Sequence, residues 1–277
     1  MDDRSLRLDG VPGRPPARRR AAPSFLELPE RTEKPRRAGI THVLDRGLSP
    51  RSLESLLMTA GRHIDMMKLG WGTAYVSGAV ADKVAICRDA GIALCPGGTL
   101  LEIAVQQGQL DRYVDWLQDL GIDHIEVSNG SFPMSPGQKS ELISQLAGEF
   151  TVIAEVGSKS AQTADGHAWC TEMLSDLASG AALVIAEGRE TGTVGLFDRT
   201  GAVHRELVEQ ILHAVGPETV IFEAPQRSQQ AWLLQHVGPN VNIGNVAAED
   251  VIALETLRRG LRFDTLALLP HDERATP

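Results

Sequence analysis

The stretch Thr41-His-Val-Leu-Asp45-Arg-Gly-Leu-Ser-Pro50, followed to Ile64-Asp-Met-Met-Lys68-Leu-Gly70, decides how the chain folds. A short apolar run ends in a charged residue and a Gly-containing turn. An amphipathic segment opens at Ser49-Pro50, a helix-start pair, and a second apolar run then ends in Lys68. From residue 38 onward this unit recurs. Strands are predicted at Thr41–Asp45, Ile64–Leu69, Ile92–Cys95, His124–Ser128, Val152–Val156, Leu183–Glu187, Val220–Glu223 and Val241–Gly244. Helices are predicted near 51–61, 79–90, 109–120, 137–148, 170–180, 203–215, 228–236 and 248–259, with Gly91 and Gly121 past the ends of the second and third. Strands alternating with helices at roughly 30-residue intervals imply right-handed βαβ units and a parallel sheet. Eight units predict an α/β fold, a closed (β/α)₈ TIM barrel. The competing open doubly wound sheet lacks a GxGxxG after its first strand.

Composition narrows the function classes. Only 4% of residues are aromatic, so the core is built from aliphatic side chains. No apolar run reaches the ~18 residues of a membrane helix, and no N-terminal stretch serves as a secretory signal. Cys87, Cys95 and Cys170 form no CxxC pair and read as reduced thiols, so a cytoplasmic protein is expected. Residues 1–37 carry a net charge of +4 and the remainder −13. So acidic a body is a poor nucleic-acid binder; the basic leader could touch nucleic acid or membrane, but neither is expected as a partner. Residues 1–35, with Pro12, Pro15, Pro16 and Arg18-Arg19-Arg20, read as a flexible basic leader, of which residues 1–30 are expected to be dispensable for catalysis. Residues 36–268 form the barrel and 269–277 a C-terminal tail.

Side chains ending barrel strands face the active site. These strands end in Asp45, Lys68, Pro96-Gly97-Gly98, Glu126 with Ser128, Glu155, Glu187 with Arg189, and Glu223, and the eighth leads to Gly244-Asn245. Alternation pairs Val43 with Asp45, Met66 with Lys68 and Ile153 with Glu155. The charged member of each pair is expected at the rim above an apolar layer. Five acids around one mouth repel unless cations compensate, and hard oxygen ligands suit Mg²⁺. Lys68, Lys159 and Arg189 are the cationic counterparts. The turns at Gly97-Gly98-Thr99 and Gly244-Asn245 offer N–H groups to an anion. His42 is expected to point away from Asp45 into the helix layer as a hydrogen-bonded structural residue. No HxH, HExxH or GxSxG pattern supports zinc or a serine hydrolase. The residues thus point to a barrel enzyme using a divalent metal on a small phosphorylated or carboxylated substrate.

At these same residues the sequence resembles the phosphosulfolactate synthase family, which supplies the first enzyme of one coenzyme M pathway. The matching segments are Gly39–Pro50, Lys68-Leu-Gly-Trp-Gly-Thr73, Pro96-Gly-Gly-Thr-Leu100, Ile125-Glu-Val-Ser128, Glu155-Val-Gly157, Phe222-Glu-Ala-Pro225, Gly238–Asn245 and Glu249–Arg258. They run in collinear order over nearly all of 36–264. The departures are Gly188, where the family has alanine, and Ser158, where it has the first of two lysines. The resemblance implies a (β/α)₈ barrel and Mg²⁺-dependent addition of sulfite to C3 of phosphoenolpyruvate, giving (2R)-phospho-3-sulfolactate. That is a carbon–sulfur lyase working in the synthetic direction. It implies Lys159 as the proton donor to C2, with Lys68 as the alternative donor or an anion clamp, and Arg189 on an anionic group. Asp45 completes the catalytic set. Glu155, Glu187 and Glu126 are favoured as metal ligands, and Gly97, Gly98, Thr99, Glu223, Gly244 and Asn245 as substrate-binding. A homo-oligomer is expected. Two other readings stay open: a barrel adding another nucleophile to phosphoenolpyruvate, and a non-catalytic barrel like the plant heat-stress proteins that share these motifs.

Overall fold

The structure is a computed structural model, and it describes residues 24–132, 134–157 and 165–270. The eight strands are β1 Thr41–Asp45, β2 Met66–Leu69, β3 Ala93–Pro96, β4 His124–Val127, β5 Thr151–Val156, β6 Leu183–Ala186, β7 Val220–Glu223 and β8 Ile243–Ala247. All pair in parallel in the order β3-β2-β1-β8-β7-β6-β5-β4. β3 and β4 complete the circle side by side without a ladder, so the (β/α)₈ barrel is hydrogen-bonded at seven of its eight seams.

Among the described residues ten helices surround it: α1 Pro50–Ala60, α2 Thr73–Val76, α3 Val80–Asp89, α4 Gly98–Gln106, α5 Leu110–Leu120, α6 Pro136–Leu146, α7 Gly166–Ala178, α8 Arg205–Val215, α9 Arg227–Val237 and α10 Val251–Arg258. Two of them, α2 and α4, are absent from the sequence reading. The second matters, because α4 begins directly at the Gly97-Gly98 turn and packs against β4. None of these helices is long and apolar enough to cross a membrane.

The strands are buried on both faces, and each face has its own core. Ile40, Met66, Cys95, Ile153, Ile185 and Ile221 fill the barrel interior. The intervening residues, among them Val43, Met67, Leu94, Ile125, Ala154, Val184 and Phe222, pack beneath the helices. This parity corrects two expectations on β1. Val43 and Asp45 face the helices, where the Asp45 carboxylate pairs with Lys83 of α3 at 2.6 Å. Asp45 also accepts from the N–H groups of Gly47 and Leu48, each at 2.7 Å, which ties down the turn into α1. His42 instead shares the interior face of Ile40. A Cβ on Gly244 would lie 3.1 Å from its Nδ1, and neither ring nitrogen has a hydrogen-bond partner. Burial, and then the charge of Lys68, hold its imidazole well below the usual pKa. A strand buried on both sides carries no in/out alternation, so its parity is invisible in sequence.

The segment before β1 is bound to the barrel within the range assigned to the leader. Arg31, its side chain 6% exposed, pairs with Glu255 at 3.2 Å and donates to Asn240 and Gly39. Arg36 pairs with Asp65 at 2.9 Å, and Arg259 donates to the Pro29 carbonyl. Burial works to raise the Glu255 carboxyl, but a hydrogen bond from His63 and the charge of Arg31 win and lower it to about 2. A carboxyl depressed in the folded state stabilises above its unfolded pKa near 4.5, and that stability is lost as pH falls toward 2. Arg31→Gln is therefore expected to flatten the decline in melting temperature between about pH 5 and 3 while lowering stability at neutral pH. Parallel wild-type and variant curves down to pH 3 would show that Arg31 does not hold Glu255.

Candidate active site

At the C-terminal mouth lies a pocket of about 370 Å³, lined among others by Lys68, Trp71, Gly97, Gly98, Thr99, Glu126, Ser128, Glu155, Glu187, Arg189, Glu223 and Asn245. That volume suits a small metabolite. Each acid reaches it by the same rule: Glu155, Glu187 and Glu223 stand two residues beyond interior Ile153, Ile185 and Ile221. Ile185 pairs with Ile221, so Glu187 and Glu223 emerge from neighbouring strands.

Backbone amides hold three of the carboxylates. Gly98 N–H donates to Glu126 Oε1 at 2.7 Å, Arg189 N–H to Glu187 Oε1 at 2.8 Å, and Gly188 N–H to Glu223 Oε2 at 3.1 Å. The Lys68 ammonium sits among them, 2.9 Å from Glu223 Oε1, 3.0 Å from Glu126 Oε2 and 3.9 Å from Glu155 Oε2. Burial works to lower its pKa, but Glu126, Glu223 and Glu155 outweigh that and raise it well above the ordinary lysine value. The three glutamates thus favour the charged form of Lys68. Glu155 is displaced the opposite way. Burial and then Glu187, Glu126 and Glu223 push its carboxyl well above the usual range, with Lys68 opposing them.

Three of these acids converge. Carboxylate oxygens of Glu155, Glu187 and Glu223 lie within 4.8 Å of one another. The sequence reading favoured Glu126 as the third ligand and gave Glu223 to the substrate. The geometry groups Glu223 with the other two and leaves Glu126 outside that cluster, although a backbone amide and Lys68 engage both acids alike. Counting the described residues of the pocket, five acids (Glu190 included) face two cations, Lys68 and Arg189. A further polyanion entering such a site needs added positive charge.

The remaining predicted residues fall as follows. Gly97, Gly98 and Thr99 line the pocket, but the N–H of Gly98 already serves Glu126, so the anion cradled at this turn is the chain's own carboxylate. A side chain at position 98 would collide with Ser128 Oγ. Gly244 is corrected: it lies inside β8 rather than in a loop, and a Cβ there would meet Ile221 at 2.9 Å as well as His42. It makes room in the barrel interior and does not line the pocket. Asn245 does line it, with its Oδ1 buried and unpartnered. Asp45, turned to the helices, is absent from the lining. Lys159 lies outside the described residues.

Two further groups escaped the sequence reading. Lys83 and Glu102 are single charges on the buried faces of α3 and α4, and a charged residue inside an apolar helix stripe is the available signal. Backbone strain marks the same place. Among the described residues three non-glycine residues have left-handed backbone, Trp71 (φ 53°), Arg189 (φ 51°) and Asn245 (φ 54°). All three line this pocket. Such conformations cost of order 1–3 kcal/mol for bulky residues and concentrate at functional sites.

Comparison with known proteins agrees on one family. Residues 29–264 match the family model described as (2R)-phospho-3-sulfolactate synthase (ComA). The phosphosulfolactate synthase of Methanocaldococcus jannaschii is 40% identical over 235 residues, covering 82% of this chain and 93% of that protein. The phosphosulfolactate synthase of Bacillus subtilis is 37% identical over 247 residues, covering 88% and 98%. Among solved structures, a 3-hexulose-6-phosphate synthase superposes with a TM-score of 0.53 at 13% identity, covering 79% of this chain and 98% of that one, which speaks for the fold alone. With a match spanning the whole barrel and relatives aligned over nearly their full length, this chain belongs to the (2R)-phospho-3-sulfolactate synthase family.

Proposed function

We propose that the chain is a magnesium-dependent, cytoplasmic phosphosulfolactate synthase that joins sulfite to C3 of phosphoenolpyruvate, a carbon–sulfur lyase acting in the synthetic direction. The observation that carries this reading is the convergence of Glu155, Glu187 and Glu223 in a pocket whose acids outnumber its described cations. All-carboxylate oxygen donors fit a hard divalent cation, and these three would hold it. When bound, magnesium would supply positive charge against the substrate carboxylate, where negative charge develops.

The chain's own groups account for the rest. In the reaction the sulfur lone pair forms the C–S bond at C3. The C2=C3 π electrons move toward C2 and the carboxylate, C2 takes a proton, and the phosphate ester stays intact. Lys68 and Arg189 attract the anionic groups and orient them. Lys68, held as an ammonium by its three glutamates, acts as the clamp rather than the donor. The proton to C2 is assigned to Lys159, following the family resemblance.

Incubating the protein with magnesium, phosphoenolpyruvate and sulfite should yield phosphosulfolactate by mass spectrometry, and EDTA should abolish it. Absence of product with sulfite overturns the reading. Lys68→Gln is expected to raise the KM for phosphoenolpyruvate about tenfold or more with a smaller fall in kcat, and Lys68→Arg to recover part of the loss. A kcat lower by about 10²–10⁴ at unchanged KM would make Lys68 the proton donor instead.

A further inference from the structure

One wall of the pocket is the segment that follows β4, where Ser128 and Ser131 face the cavity. Among the described residues between Ser128 and α6 no regular secondary structure supports this segment. Glu102 holds it from behind. This residue lies in α4, four positions past Gly98, is 2% exposed, and does not itself line the pocket. Ser128 Oγ donates to Glu102 Oε1 at 2.5 Å. The N–H groups of Ser131 and Phe132 both donate to Oε2, each at 2.6 Å.

The residue type follows from this geometry. A carboxylate accepts at both oxygens and presents no hydrogen, so three donors can converge on it from two sides. Burying such a charge is costly, and a leucine would suit the apolar surroundings of α4 better if filling space were the task. What the carboxylate secures is the path of 128–132 and the direction of the Ser128 hydroxyl. With its hydrogen committed to Glu102, Ser128 leaves lone pairs for the pocket. The same helix orders a second element of the site, since its first residue, Gly98, holds Glu126. Two turns of α4 thus brace two neighbouring parts of the mouth.

We propose that Glu102 is a positioning residue that fixes Ser128 and Ser131 as one wall of the substrate pocket and thereby governs substrate affinity. The kinetic part of its test depends on the phosphoenolpyruvate reading above, and the structural part does not. Glu102→Gln keeps the volume but can accept on one side only. Its NH₂ must face either the two amides, which then lose their acceptor, or Ser128, whose hydroxyl must then turn round.

The experiment is steady-state kinetics on the full chain with phosphoenolpyruvate varied, paired with hydrogen exchange of the peptide covering 128–132. In Glu102→Gln the KM is expected to rise about tenfold, with kcat falling less than about threefold. Exchange at Ser131 and Phe132 should quicken about tenfold or more while the barrel strands keep their protection. Glu102→Asp, which keeps the charge but retreats by one methylene, provides a second variant should the first fold poorly, and the same two changes are expected. Wild-type KM with wild-type exchange would overturn the proposal. So would exchange that quickens uniformly across the barrel with KM unmoved, the mark of a merely structural residue. If the wild-type protein fails to turn over phosphoenolpyruvate and sulfite, the substrate reading falls on its own. The exchange measurement then decides alone: a local loss of protection at 131–132 supports the positioning role, and its absence overturns it.

Discussion

Glu155→Gln is expected to raise the magnesium concentration needed for half-maximal turnover by about tenfold or more, without lowering the melting temperature. The substitution keeps the side-chain volume and removes one of the three charges whose oxygens converge at the mouth. A hard cation loses most by that exchange, because a neutral amide oxygen is a much weaker ligand for it. The fold loses little. Glu155 is buried beside Glu187, Glu126 and Glu223, so neutralising it relieves repulsion. Turnover titrated against magnesium, together with thermal melting, separates the two effects. An unchanged magnesium requirement would remove Glu155 from the metal site and return Glu126 to consideration. A collapse in melting temperature would mean that the carboxylate serves the fold.

The second large effect lies outside the pocket. Lys83→Met is expected to cost about 3–5 kcal/mol, because it strands the Asp45 carboxylate at 1% exposure with no countercharge. For a barrel of this size that is a fall in melting temperature of roughly 6–20 °C. The pair itself should prove dispensable. Asp45→Asn combined with Lys83→Met removes both charges, retains an acceptor for the Gly47 and Leu48 amides, and should restore most of the lost stability. Catalysis in this double variant is expected to stay within a few-fold of wild type, since Asp45 faces the helices. A double variant that melts normally yet loses about a hundredfold or more in kcat would return Asp45 to the catalytic set.

The number and order of the eight strands, and eight of the ten described helices, are legible in the sequence alone. Apolar runs at regular spacing, each ended by a polar residue and followed by an amphipathic stretch, leave little besides an eight-stranded parallel barrel. The sequence also determined which residues stand at strand ends, and so brought Lys68, Glu126, Glu155, Glu187 and Glu223 to one mouth. For Lys68, Glu155, Glu187 and Glu223 the residue two positions earlier lies inside the barrel, and the polar member of the pair can only continue on that face.

What alternation cannot express comes from the packed barrel. β1 is buried on both sides with a polar residue on each, and nothing in Thr41–Asp45 says which side meets the helices. Asp45 and His42 exchange the roles expected of them because Lys83, 38 residues away, supplies the countercharge in the helix layer. Gly244 reads as a loop glycine until β8 is seen to run on to Ala247, with His42 and Ile221 filling the space a side chain would need. Glu223 joins Glu155 and Glu187 because the β6–β7 register brings neighbouring strand ends together, while Glu126 lies outside their cluster. Local sequence governs the period of each element. Which face turns inward, and which charges meet, depends on partners brought together only when the barrel closes.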